Sequence, residues 1–411
     1  MRRGLVPILT LLLAVLWMTP ASSKSLEVWS FTTAINQPVQ QLISQYKKST
    51  GIDVNLITFT NVNDRNAAIQ RLMDGNGPDM LIGSGIAHEY LVPVNKLMES
   101  WPERKFMANQ FIWHDGISGN TYYLPGGINL NGVSFFKSYF KEAGLDVSNP
   151  PQSWERLLEA TTKLTKTTVL GRRAGFESRW DLTVMDDFLT QNNAGIVSED
   201  GRHSLLNSPE AKQSLAFIVQ LFQASRDYTS ATWANYSYRF PLEAAMSLGP
   251  TSQARTAATS NVSNMVGAFV VKRCSSCVIA PQATVGHFIS IPRTTKNVLD
   301  SWSFVTWYLS PDINTAVNAP SFLLPPRLDT AAQVAKFEPL LADWYKLLPN
   351  SRTVTYSGLG YEVLSSYLAE SGFSSQLRKV LCGEIDSEFI LEQMHREYQS
   401  LLNDAWAKDG K

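Results

Sequence analysis

Aromatic side chains set among polar neighbours are the residues of this sequence best suited to chemistry. Trp29 is followed by Ser30, Trp180 stands between Arg179 and Asp181, and Trp233 precedes Asn235 and Tyr236. An aromatic ring offers an apolar face to the C–H side of a sugar, while Asp, Asn and Arg hydrogen-bond its hydroxyls. That chemistry is recognition. Trp154, Trp302, Trp307, Trp344 and Trp406 carry the same ring but fall in helical patterns, and these are expected in the core.

Patterns for covalent chemistry are missing. No Gly-rich turn ends in Gly-Lys-Ser/Thr, and no G-x-S-x-G elbow occurs. His88-Glu89 lacks a second histidine four residues after the first, and the five histidines are scattered. The pair Asp186-Asp187 could serve glycoside hydrolysis, but adjacent acids on a helical segment read as a solvated face. Cys274-Ser275-Ser276-Cys277 reads as a local disulfide pinning a loop, with free thiols as the alternative. A second ligand pair for zinc is not nearby, and no cofactor follows from the sequence.

The elements that must position these residues alternate early. Residues 26–31 (LEVWSF), 53–59 (DVNLITF) and 79–82 read as strands. Helices opening at Asn36 and spanning 66–73 separate them, so a parallel sheet with covering helices is expected. In open α/β sheets ligands bind beyond the carboxyl ends of strands. Those ends bring forward Trp29-Ser30-Phe31-Thr32, the stretch 60–64 with Asp64, and 83–85 with Ser84. Residues 122–136 suit a strand or crossover, followed by an amphipathic turn, a stop at Gly144, and a helix capped by Ser153. The region 145–283 is expected to be mainly helical, and 285–292 alternates as a strand.

Bulk properties bound the answer. At 411 residues, 44% apolar and 18% charged, the chain is globular and long enough for two lobes. A net charge of +0 with no obvious basic face gives nucleic-acid binding no electrostatic support. Arg2 and Arg3, an apolar run from Leu5 to Met18 and the small residues Ala21-Ser22-Ser23 read as a cleaved signal peptide, residues 1–23.

Word order adds a resemblance. Tyr123-Leu124-Pro125, Phe140-Lys141-Glu142-Ala143-Gly144-Leu145 and Pro151-Gln152-Ser153-Trp154-Glu155-Arg156-Leu157 follow one another in this order. The set resembles the central signature of the extracellular solute-binding proteins of ABC importers, the group that includes maltose-binding-like proteins. Residues 285–292 (VGHFISIP) and 322–327 (FLLPPR) resemble the family's later crossings. The segment 240–247 is similar to its "F-x-x-G-x-A-A-M" stretch, with the usual Gly absent.

The resemblance implies a two-lobed α/β periplasmic binding fold of type II. Lobe one would be 24–131 plus 286–323, and lobe two 132–285 plus 324–411. Three crossings would join them near Asn129–Asn131, Val285–Phe288 and Leu323–Arg327. It places Ser84, Asn129, Asn131, Thr251 and Arg327 in the cleft, beside Trp29, Ser30, Asp64, Trp180, Asp181 and Trp233. The expected protein is a periplasmic, monomeric carrier, not an enzyme, delivering a carbohydrate to an ABC permease. Polyamines, polyol phosphates or other small solutes are the alternative ligands, and a membrane sensor the alternative partner. Asp64, Asp181 and Glu243 are the acids a polyamine would need. A secreted carbohydrate-active enzyme is the reading from another class.

Overall fold

The computed structural model describes residues 24–83, 86–115, 118–168, 171–178, 180, 182–198, 200–225, 243–253, 266–271, 273, 282–353, 359–370 and 372–409. Residues 1–23 and the pair Cys274 and Cys277 lie outside them.

Strand and helix alternate at the start as the periodicity predicts. Strands β1 (Ser25–Ser30), β2 (Asp53–Thr58) and β3 (Met80–Gly83) run parallel, with β1 in the middle. The helix Asn36–Thr50 buries Val39, Ile43 and Tyr46 and ends at Gly51, whose φ of 75° suits glycine. The helix Val62–Met73 is capped by Asn61, which accepts from the Asp64 N–H at 2.9 Å.

The sheet then departs from simple alternation. It has ten strands, along the path β2-β1-β3-β9-β4-β7-β6-β5, with β10 beside β9 and β8 beside β4. The added strands are β4 (Leu124–Phe136), β5 (Lys166–Thr168), β6 (Gly171–Glu177), β7 (Ala244–Pro250), β8 (Val266–Phe269), β9 (Gln282–Ser290) and β10 (Arg352–Thr353). Four of these fall in 145–283, strands that the expectation of a mainly helical stretch did not include. The helices Trp154–Leu164, Leu182–Gln191 and Pro209–Ser225 do form. Ser153 accepts from Arg156 N–H, and Ser208 accepts from Ala211 N–H, as the caps of the first and third.

Strand β4 ties the halves together. Its residues Leu124–Leu130 pair antiparallel with β9, and Asn131–Phe136 pair with β7 and β8. The change of partner falls between Leu130 and Asn131. Ile128 faces Val285 on one side and exchanges two 2.8 Å hydrogen bonds with Leu324 on the other. The three stretches expected to cross thus lie side by side there. A Cβ on Gly286 would stand 3.0 Å from Leu323 and 3.4 Å from the Gly127 carbonyl, so glycine permits this packing.

Cores lie on both sides of this junction. One gathers Leu26, Val28, Met80, Ile82, Ile289 and Phe304. Another gathers Val133, Trp154, Phe176, Phe188, Leu215, Phe222, Leu377 and Tyr398. A third joins Val334, Leu341, Trp344 and Leu348 to Ala108, Phe111, Ile128, Leu130 and Leu324. The stretch after the last crossing therefore packs on residues expected in the first lobe.

Candidate functional site

The carboxyl ends of β1, β2 and β3 carry an aromatic wall. Phe31 and Phe59 are the residues immediately after the last residues of β1 and β2, and both are half-buried. Their rings lie 5.5 Å apart, with the Arg65 guanidinium 5.6 Å over Phe31. Gly83 ends β3 at φ 143° opposite Phe288, and a Cβ there would stand 2.8 Å from the Phe31 Cβ. Glycine is what lets Phe31 sit at that strand end.

Phe288 continues the wall. Its ring centroid lies 5.6 Å from Tyr123, which lies 6.1 Å from Trp113, and all three are half-buried. The Tyr123 hydroxyl donates to the Ile86 carbonyl. Burial, and then the charge of Glu89, push this phenol up to about 12, so it remains a protonated donor at neutral pH.

A polar floor lies at the β4 junction. The half-buried Asn129 accepts through Oδ1 from the Thr251 hydroxyl at 2.8 Å and the Ser252 N–H at 3.3 Å. Two residues on, Asn131 donates to both carboxylate oxygens of Asp187 at 3.1 Å and to Gln282 Oε1 at 3.2 Å. Gln282 in turn donates to Asp186 Oδ2 at 2.5 Å. All four of these side chains are buried. Asp186 and Asp187 are therefore not a solvated face. Amide N–H groups from two strands hold these carboxylates, which is how buried acids are retained.

Several expected contacts are enclosed instead. Trp29 is fully buried, its indole N–H donating to Glu27 at 2.7 Å and its ring covered by Arg71. Ser30 is buried and bonded to Asn36 at 2.6 Å. Trp180, at φ 49°, packs between Phe176 and Phe222 and donates to Glu177 at 2.6 Å. Arg327 is buried, with Asp329, Glu103 and the Leu309 carbonyl accepting from it at 2.7–2.8 Å. Asn131 and Thr251 are also buried, while Asp64 is exposed in the first turn of its helix. Ser84, Asp181 and Trp233 lie outside the described residues.

Of the wall residues, the sequence reading brought forward only Phe31, within its strand-end stretch 29–32; Phe59, Trp113, Tyr123 and Phe288 were not singled out. A usable signal existed for Phe59, since it too stands one residue past a strand end. Among the described residues, no group of His, Cys, Asp or Glu could hold a metal ion.

This architecture is that of the two-lobed periplasmic binding proteins. The sugar-binding protein MalE of Xanthomonas citri superposes with a TM-score of 0.76, covering 94% of this chain and 100% of that one at 13% identity. A cyclic alpha-maltosyl-1,6-maltose binding protein of Arthrobacter globiformis gives 0.72 at 17% identity, covering 92% and 99%.

Residues 41–345 match the profile of the family described as bacterial extracellular solute-binding protein, and the chain belongs to that family. It is accordingly a binding protein, not an enzyme. The sn-glycerol-3-phosphate-binding periplasmic protein UgpB of Salmonella typhimurium is 26% identical over 174 residues. That alignment takes in 38% of this chain and 39% of the relative, so the chain spans about two-fifths of the curated relatives it matches.

Proposed function

We propose that this protein captures an unmodified carbohydrate or polyol in a cleft between two lobes and hands it to an ABC permease from the periplasm. The observation that carries the reading is the half-buried wall of Phe31, Phe59, Trp113, Tyr123 and Phe288, with the half-buried Asn129 further along β4. Such rings take the C–H faces of a sugar, and an amide answers its hydroxyls. Names of similar proteins agree with this chemistry: maltosyl-maltose, alpha-D-tagatose and ribitol are bound by proteins of the same fold.

The lobes are 24–131 with 286–323, and 132–285 with 324–411, and the segment 331–348 packs across the junction. The ligand is held first by the wall, and closure at Gly126-Gly127 and Ile128 brings the second lobe onto it. Closure is favourable because only the closed form makes both sets of contacts. Asp64 and Asn129 are the proposed polar contacts, Thr251 holding Asn129 from behind, with Ser84, Asp181 and Trp233 completing the rim. Residues 1–23 direct export and are removed, and the carrier works as a monomer.

Thermal unfolding against maltose, D-tagatose, ribitol, glycerol 3-phosphate and spermidine tests this. A ligand that binds only the folded form raises the midpoint with concentration. We expect a shift with a neutral sugar or polyol, weakened roughly tenfold in affinity, or ~1.4 kcal/mol, by Tyr123→Ala. Response to spermidine alone overturns the carbohydrate assignment, and response to glycerol 3-phosphate alone moves the ligand to polyol phosphates.

A further inference from the structure

A second aromatic pocket lies away from the cleft. Tyr46 and Thr50, from the last turn of the helix Asn36–Thr50, form one wall. Thr306 and Trp307, from the helix Val298–Tyr308, form the opposite wall. Trp101 and Glu103 close the third side, and the cavity measures about 420 Å³, within the range of small-molecule sites.

The rings are held before any ligand arrives. Trp307 lies 5.1 Å from Tyr46 and 5.0 Å from Phe304, while Trp101 meets Trp302 edge-on at 6.0 Å. Trp307, expected in the core, is only half-buried and turns ring surface outward, while Tyr46 and Trp101 are buried and back it. The polar lining offers acceptors. Thr50 spends its hydroxyl proton on the Tyr46 carbonyl at 2.8 Å, and Thr306 spends its own on the Ser303 carbonyl at 3.0 Å. The Thr50 oxygen already accepts from the Ile52 N–H at 3.2 Å, which leaves the Thr306 oxygen as the freer acceptor. Glu103 is anchored through Oε2 by Arg327 at 2.8 Å, with 44% of its side chain exposed.

We infer that this pocket is an accessory site for one sugar ring. Apolar faces joined to acceptors select a ligand that brings many hydroxyl donors and a C–H face. No lining side chain is cationic, which disfavours an anion. Arg327 is shared between Asp329, which takes two hydrogen bonds, and Glu103. The Glu103 carboxylate therefore keeps acceptor capacity that the hydroxyls of a pyranose can use and a quaternary ammonium cannot. The anchor also matters, because Arg327 belongs to the last crossing. An occupied pocket therefore sits one ion pair away from a segment joining the lobes.

The test follows the indole N–H signals of Trp101, Trp302 and Trp307 by NMR while the purified protein is titrated with methyl α-D-glucopyranoside. Saturable shifts are expected, and they persist in Tyr123→Ala, which impairs the cleft wall. Thr306→Arg, which fills the pocket from a half-exposed position, should weaken binding roughly tenfold or more. Thr50→Arg repeats this from the facing, exposed helix end, in case the first variant misfolds. Absent or unsaturable shifts overturn the proposal, as do shifts unaffected by both arginines. A response to tetramethylammonium but not to the glucoside overturns it in favour of a cation site. Loss of cleft binding with the outer signals still responsive separates this site from the one proposed above.

Discussion

His287 sits at the junction of the crossings and cannot easily take up a proton. It is buried on β9, with Nε2 2.8 Å from the Tyr308 hydroxyl, and burial pulls it down to about 3. In the unfolded chain it titrates near 6.5, so below that pH the unfolded state binds the extra proton. Its contribution is thus complete above the unfolded value and is lost as pH falls toward 3. We expect stability to fall by roughly 1 kcal/mol per pH unit below about 6, and His287→Gln to flatten that limb. Urea titrations at stepped pH check both.

Gly127 faces the same crowding. A Cβ there would lie 2.1 Å from Asn318 Oδ1 and 2.8 Å from the His287 ring, and the Asn318 amide is itself held on the Gly126 carbonyl at 2.8 Å. Gly127→Ala should cost roughly 1–3 kcal/mol, read from the denaturation midpoint. At this scale the sequence was least legible. Trp29 was assigned to ligand because it ends a strand, but the β1 core covers both strand faces, so Val28 and Trp29 are equally buried. Arg327 and Asp186 look like surface residues by type. Glu103 and Gln282, which help to bury them, are far away in sequence, and only Asp329, two residues from Arg327, is a local partner.

Among the elements, the helix Trp154–Leu164 was read almost whole, because its cap and apolar stripe are local. Trp154 stacks on Phe217 at 4.5 Å and donates to Gln191 at 2.8 Å. Ser153→Ala should lower stability by about 1 kcal/mol, since Ser153 accepts from the Arg156 N–H. The strands β5 to β8 were not read. They are short, and β7 is nearly all buried, so alternation gives no signal there. Their existence depends on β4 offering an edge after it leaves β9. Asn131 stands at that change of partner and donates to Asp187 and Gln282. Asn131→Ala should cost roughly 1–3 kcal/mol by removing a donor from a buried carboxylate. A thermal melt of that variant would detect it.

For the whole molecule, β4, β9 and the segment at Leu324 meet at Ile128, and bending between the lobes is expected there. A saturating ligand found in the thermal screen should reduce the radius of gyration in small-angle scattering. No change on saturation would mean that binding occurs without closure. The two-lobed plan was legible because its markers are short phrases in a fixed order, each carrying a turn or a cap. The face proposed to meet the ligand was less so, since it depends on which rings the strand ends and β9 bring together.

The position of β9 also bears on how the chain is made. It lies between β3 and β4, pairing Leu81 with Ser290 and Leu124 with Ile289. The first half of the chain is thus synthesised long before the strand that completes its sheet. Contacts of such wide sequence separation form slowly. A nascent chain ending before Gln282 has β1, β2 and β3 but an open edge, and should remain threadable while it is still being translated. Folding of the amino-terminal half then waits for most of the polypeptide, a delay that suits the export proposed above.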